Sequence, residues 1–265
     1  MRNLLITTGI VAIFAGAAFA EDTTVTAGPT LSGEFSIDIA ETAAGDYGAT
    51  TDLDLGIDAA GLASVDLDFG LNSNDSIELD DWTVGTSVGG SIGVSLGTDQ
   101  GVMPGAEGEQ TLAAPAMGTA VKVNVGDAAV AVGFTDMAAD VTDISNIQGA
   151  YTLSLGDTLN VTAGGDYNMD SENFVLGVGA SGLDVGIASL GGALTYDMDA
   201  EDIGFEVVAN AMGITTYLNG DQDEMLQNIG GEYTIGLGGA DVTAGAAYNL
   251  DDEEFTPTLG VSFSF

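Results

Sequence analysis

Carboxylates dominate the chemistry open to this chain: 41 Asp and Glu stand against two basic residues, Arg2 and Lys122, with no His and no Cys. Without His there is no Ser-His dyad and no imidazole acid–base pair. Without Cys there is no thiol nucleophile, soft zinc site or disulfide. Paired carboxylates can hydrolyse glycosides, but the pairs here have a different setting. Asp52 and Asp54, and likewise Asp66 and Asp68, lie two residues apart and alternate with Leu53, Leu55, Val65, Leu67 and Phe69. On an extended strand this spacing puts both acids on one face, ~7 Å apart, and the apolar residues on the other. In water two unit charges at that distance interact by only about 0.6 kcal/mol, and by less in salt. A wet wall tolerates them as carboxylates. A dry core does not, because buried unpaired charge is strongly disfavoured and almost no cation is available to pair it. The acids therefore read as wall charges, and no enzymatic activity is expected.

The remaining composition narrows the class further. A formal net charge of −39 repels nucleic acid and acidic lipid surfaces, so neither is an expected partner. Such acidity can signal disorder, but hydrophobic content is 45% and many acids alternate with apolar residues instead of forming blocks. At the N-terminus, Arg2 precedes an apolar run from Leu4 to Phe14 and a small-residue site, Ala18-Phe19-Ala20, before Glu21. Residues 1–20 read as a cleaved secretory signal and 21–265 as one domain. Beyond residue 20 no stretch approaches the ~20 apolar residues of a spanning helix. Membrane residence would require a barrel.

Period-two patterning begins at Leu31, where Leu31, Gly33, Phe35, Ile37 and Ile39 face one way and Ser32, Glu34, Ser36 and Asp38 the other. It recurs over 52–57 and 64–69. Further strands are expected at Trp82–Val88, Ser91–Leu96, Thr119–Val125, Ala129–Phe134, Ile147–Leu155, Leu159–Tyr167, Glu172–Ala180, Leu183–Tyr196, Ile203–Met212, Ile214–Leu218, Leu226–Ile235, Val242–Tyr248 and Phe255–Phe265, sixteen in all. Tight glycine turns near Gly61, Gly89-Gly90, Gly126-Asp127, Gly156-Asp157, Ser181-Gly182, Gly213 and Gly238-Gly239 alternate with longer, mostly acidic loops, among them Asn219–Glu224 and Asn249–Glu254. Short turns at one end and longer loops at the other, with an even strand count, predict an all-β, transmembrane antiparallel barrel. Phe69, Phe134, Tyr167, Tyr196, Tyr217 and Tyr248 fall near the loop-side strand ends and are expected to form an interfacial girdle. A soluble sandwich, as in an exported acidic structural or adhesive surface protein without channel activity, is the alternative.

Three segments carry a resemblance: TLSGEFSIDI from Thr30, GGSIGVSLGTDQG from Gly89 to Gly101, and the terminal TLGVSFSF. In these the chain resembles the general porins of Gram-negative bacteria, sixteen-stranded diffusion channels, in their alphaproteobacterial form. The resemblance implies a passive, water-filled channel in the cell outer membrane, open to small hydrophilic solutes and built as a homotrimer. It also implies an inward-folded third loop, placed here between Thr98 and Met117, with Asp99, Glu107 and Glu109 at the constriction opposite Lys122. The closing face Leu259, Val261, Phe263 and Phe265 would be the signal read by the barrel-assembly machinery. Such proteins commonly line the constriction with Arg and Lys, and here only Lys122 is on offer. Glu34, Asp38, Asp52, Asp54, Asp66, Asp68, Asp166, Asp184, Glu206 and Glu232 all lie opposite their strands' apolar residues, which predicts cation selectivity. No cofactor is expected. Weak Ca2+ or Mg2+ binding by loop acids such as Asp221, Asp223, Glu224 and 251–254 is a secondary expectation. Pro257, which cannot donate to a ladder, is expected to sit where the neighbouring strand has ended.

Overall fold

The computed structural model describes residues 30–41, 47–59, 63–71, 77–88, 91–98, 100–104, 117–135, 143–156, 158–222, 226–237, 239–251 and 253–264. The expected signal segment, 1–20, lies outside them. The described residues form sixteen strands: β1 Thr30–Glu41, β2 Tyr47–Asp58, β3 Ala63–Leu71, β4 Ile77–Val88, β5 Ile92–Gly97, β6 Thr119–Val125, β7 Ala128–Phe134 and β8 Ile144–Leu155, followed by β9 Leu159–Asn168, β10 Phe174–Asp184, β11 Ser189–Asp197, β12 Asp202–Ala211, β13 Ile214–Asp221, β14 Asn228–Gly236, β15 Asp241–Asn249 and β16 Glu254–Ser264. Each pairs with its chain neighbours, and β1 pairs antiparallel with β16 to close a barrel. The sheet has no free edge, which settles barrel against sandwich. The β16 ladder with β1 ends at Ala40↔Thr258, one residue short of Pro257, but β15 has not ended there as expected: Pro257 pairs with Ala246 and that ladder runs on to Asn249↔Glu254.

Burial shows which face is which. Leu176, Leu194 and Phe263 are 45%, 51% and 45% exposed, whereas Gln148, Asp166 and Glu206, on the opposite parity, are 0%, 1% and 1% exposed. The barrel is apolar outside and polar inside, the inverse of a soluble protein. Tyr167, Tyr196 and Tyr248 are exposed on the outer face. Tyr217 is the exception to the expected girdle. It is buried on the inner face, packed with Ala193 and Val208, and its register partner Gly230 leaves room for the ring.

Three bulges correct the expected strand boundaries, and each does the same job. One extra residue reverses the inside–outside parity of everything beyond it. In β4 the register passes from Asp68↔Asp81 to Phe69↔Leu79, so Asp80 is extra, and Ile77 and Leu79 share the outer face with Trp82 and Val84. The strand therefore starts at Ile77, well before Trp82. In β8 the shift from Gly133↔Asn146 to Phe134↔Ile144 makes Ser145 extra and extends the strand back to Ile144. In β10 the expected turn at Ser181-Gly182 is a bulge, with pairing passing from Ala180↔Gly192 to Leu183↔Leu190. The chain reverses instead at 185–188, closed by Val185 N–H to Ala188 O at 3.0 Å.

Among the other connections, Met212-Gly213 is a two-residue hairpin turn with φ of 55 and 81, the mirror-image geometry that suits twisted strands. Strand β13 continues to Asp221, so the loop expected from Asn219 begins later. Three loops share one construction: Asn168 Oδ1 accepts from the Asp170 and Ser171 amides, Asp197 Oδ1 from those of Asp199 and Ala200, and Asn249 Oδ1 from that of Asp251. In each, a Glu takes up positive φ: Glu172, Glu201 and Glu253. The sequence repeats accordingly, as YNMDSENF, YDMDAEDI and YNLDDEEF from Tyr167, Tyr196 and Tyr248. Side chains that bond their own backbone two residues on are common turn formers.

Gly182 has φ +74, and a Cβ there would fall on the carbonyl oxygen of Thr158, whereas Gly126 has φ +57 and open space around it. Gly126→Ala should lose only the ~1–2 kcal/mol of a left-handed non-glycine residue. Gly182→Ala should also break the β10 bulge, giving a much lower yield of heat-modifiable barrel on refolding in detergent. Equal yields for the two variants would show that β10 does not depend on this bulge.

Candidate pore interior

On the inner wall of β1–β4 the register sets four carboxylates side by side at one level: Glu34↔Asp54, Asp54↔Asp68 and Asp68↔Asp81. They line a recess of about 400 Å3 together with Ser32 and Asp66. Asp52 lies one row along, opposite Ser36 and Gly70. Asp38 holds the matching register position on β1, opposite Thr50 and Gly260. Directly opposed like charges destabilise a sheet, so this arc is tolerated for a reason other than stability. The bulge at Asp80 hides the parity of Asp81, so alternation alone does not place it on this face.

The opposite half of the interior is built differently. From the end of β5 the described residues 100–104 pass along lumen-facing positions of β4 to β10. Gln100, 4% exposed, accepts from Ser95 Oγ at 2.6 Å and donates to Thr83 Oγ1 at 2.7 Å. Val102 N–H donates to Gln148 Oε1 at 2.8 Å and lies against a small apolar cluster of Met117, Ala120 and Ala131. Pro104 rests on Gly164 and Gly177, which face each other across β9 and β10. A Cβ at Gly177 would come 2.8 Å from Pro104 Cγ, and one at Gly164 3.0 Å from its Cδ. Residues 100–104 fall within the third connection that the resemblance implies folds inward, but the residues they dock on are marked in the strand pattern only as amides and glycines at lumen-parity positions.

Of the sequence-derived constriction residues, Asp99, Glu107 and Glu109 lie outside the described residues. Lys122 is on the inner face of β6, opposite Ser95 and Ala131. Leu259, Val261 and Phe263 share the outer face of β16, and Phe265 is outside the described residues. Two of the expected wall acids do not meet open water. Asp166 accepts from Asn146 Nδ2 at 2.9 Å and from the Gln148 side chain, and Glu206 is as deeply buried. Asp184 sits at the turn end of β10, where it accepts from the Gly186 amide at 2.6 Å. Among the described residues no group of three or more His, Cys, Asp or Glu is arranged to hold a metal ion.

This architecture has relatives among solved structures. A mutant of the Rh. blastica porin is similar with a TM-score of 0.62 over 89% of this chain and 100% of its own, at 14% identity. The barrel has the porin fold. An anion-selective porin from Comamonas acidovorans matches with a TM-score of 0.57, at 16% identity, over 90% and 99% of the two chains. A loop-deletion mutant of OmpT, an outer membrane protein of Vibrio cholerae, matches with a TM-score of 0.57, at 13% identity, over 89% and 99%. No family model matches the sequence, and neither does any curated protein.

Asp68 is flanked by carboxylates on both sides, while Asp66 faces Gly56 and Thr83. Neutralising Asp68 should relieve two opposed pairs, each worth roughly 0.2–1 kcal/mol. Asp68→Asn is expected to raise the temperature at which the heat-modifiable band is lost, with the gain disappearing in ~1 M salt where the screening length is about 3 Å. Asp66→Asn should shift it little. A matching rise in both variants would mean that the arc is not the source of the repulsion.

Proposed function

We propose that this chain is a porin of the outer membrane of a Gram-negative bacterium, a passive water-filled channel that passes small hydrophilic solutes and prefers cations. The carboxylate arc Glu34–Asp54–Asp68–Asp81 on the inner wall carries the reading. Its setting supports it: the barrel is closed, its outer face is apolar enough to meet lipid, and its backbone groups are paired around the full circumference. Catalysis forms no part of the proposal, since the chain lacks the nucleophile–base pairs that hydrolysis would need.

Charge sets the sign of selectivity, and the fold does not, because an anion-selective porin shares it. A wall of acids answered by Lys122 alone holds a negative potential that concentrates cations and depletes anions. Residues 100–104, followed by the rest of the third connection with Asp99, Glu107 and Glu109, narrow the pore opposite that wall. Leu259, Val261, Phe263 and Phe265 form the strand face read by the barrel-assembly machinery. Three copies assemble side by side in the membrane. Loop acids hold Ca2+ or Mg2+ weakly, as solvated oxygen ligands.

Reconstitution in a planar bilayer tests the reading. Under a potassium chloride gradient the reversal potential should report cation preference. The preference should be strong near ~0.15 M salt, where the Debye length is about 8 Å, and weak near ~1 M, where it is about 3 Å. Replacing Asp52, Asp54, Asp66 and Asp68 with Asn should move the reversal potential toward zero while the barrel still assembles. Chloride preference of the wild-type pore at low salt, persisting with a chelator present, would refute the selectivity. Absence of any conductance from assembled barrels would refute the channel.

A further inference from the structure

We propose that Asp166 is a positioning residue: acting through Gln148, it holds residues 100–104 against the inner wall of the barrel. The functional consequence, a fixed pore cross-section, rests on the channel reading above.

Asp166 needs an explanation that selectivity does not supply. It is 1% exposed, so it meets no open lumen, and a buried carboxylate without a cation is strongly disfavoured. Its Oδ1 is an acceptor, and an acceptor at that point needs donors from its neighbours. That restriction dictates the orientation of the two amides beside it. Asn146 turns its NH2 to Asp166 Oδ1 at 2.9 Å, leaving its own oxygen for Ser145 Oγ, also at 2.9 Å. Gln148 lies directly opposite Asp166 in the β8–β9 ladder and bonds its carboxylate through the side chain, while Asp166 Oδ2, also buried, takes no hydrogen bond. Gln148 Oε1 is then left facing the Val102 amide, from which it accepts at 2.8 Å.

A neutral partner in place of Asp166 would not enforce this. With an Asn there, Gln148 could turn over and offer N–H to N–H at Val102, losing the bond. The flanking contacts cannot replace it. Gln100 is fixed near β4 and β5 by Thr83 and Ser95, and Pro104 only rests in the glycine notch of β9 and β10. Gln148 supplies the hydrogen bond between those two points, and Asp166 sets its direction.

The chain has no cysteine, so Pro104→Cys with Gly177→Cys introduces the only thiols. The 2.8 Å separation of Pro104 Cγ from a Gly177 Cβ places a sulfur at the former position within disulfide reach. In purified full-length barrels, oxidation should link the pair rapidly, read on non-reducing gels and by mass spectrometry of the joined peptides. Adding Asp166→Asn should slow linkage several-fold and make single-channel current noisier. Gln148→Leu should do the same with no change of charge, whereas Glu232→Gln, which removes a lumen charge elsewhere, should leave the rate unaltered. If the first pair does not assemble, Met103→Cys with Gly177→Cys and a short bifunctional thiol reagent makes the same measurement. Linkage equally fast in Asp166→Asn and Gln148→Leu would overturn the positioning role, and no linkage in the parent pair would overturn the docking itself. Slowed linkage in barrels that conduct no current would uphold the positioning role and sink the channel reading instead.

Discussion

A closed sheet has two faces and no edge, and everything else in this protein depends on keeping each side chain on its proper face. Sixteen strands pair in sequence order, and β1 meets β16, so no backbone donor or acceptor along the ladders must look outward for a partner. The alternation of side chains then becomes a strict rule, because a slip of one residue turns an apolar run inward and an acidic run outward. Such a slip would place carboxylates against hydrocarbon and leucines in a wet lumen. The bulges at Asp80, Ser145 and Ser181-Gly182 restore parity where the sequence breaks it. They are as much part of the fold's specification as the strands.

This also explains which parts of the fold could be read from the sequence. Strands with unbroken alternation, such as those holding Asp52 and Asp54 or Asp66 and Asp68, were legible, and so were the strand number and the closing strand. The boundary errors in β4, β8 and β10 fall on bulges, whereas β2 starts before Asp52 and β13 runs past Leu218 with no bulge at either place. Trp82 and Ile147 looked like strand starts because alternation fails immediately before them, and Ser181-Gly182 looked like a turn because glycine favours one; its backbone does have a turn-like positive φ, but within a bulge. A local pattern cannot distinguish a strand that ends from one that changes phase, since pairing with the neighbour decides between them. Tyr217 was misplaced for a related reason. Near a strand end an aromatic ring resembles an interfacial residue, and only the absent side chain of Gly230 across the ladder shows that the ring folds inward.

Of the interior, the wall acids of β1–β3 were legible by parity, but their surroundings were not. Periodicity assigns residues to a face, but it does not reveal whether that face meets water or other protein. Asp54 and Asp166 have the same lumen parity, yet Asp54 is exposed and Asp166 is buried. The difference arises from contacts distant in sequence, in which Gln100, Val102 and Pro104 meet strands as far along the chain as β10. The result is an asymmetric lumen, with a carboxylate arc on β1–β4 and small residues, amides and a docked segment across β5–β10.

Near absence of cations shapes how this protein accommodates its acids. Several carboxylates among the described residues are bound by amides: Asn146 on Asp166, Asn173 on both oxygens of Asp197 at 3.0 Å, and Gln227 on Asp221 at 2.7 Å. An amide satisfies the oxygen lone pairs as a guanidinium would, but it brings no opposite charge. A salt bridge would hold the acid in place and cancel its field beyond a few ångströms, whereas an amide holds it and leaves the field intact. Local hydrogen bonding and long-range potential are thereby separated. The carboxylates can be fixed in geometry one at a time while their charges continue to add, and in a lumen whose one lysine lies on β6, that sum stays negative along the whole β1–β4 wall.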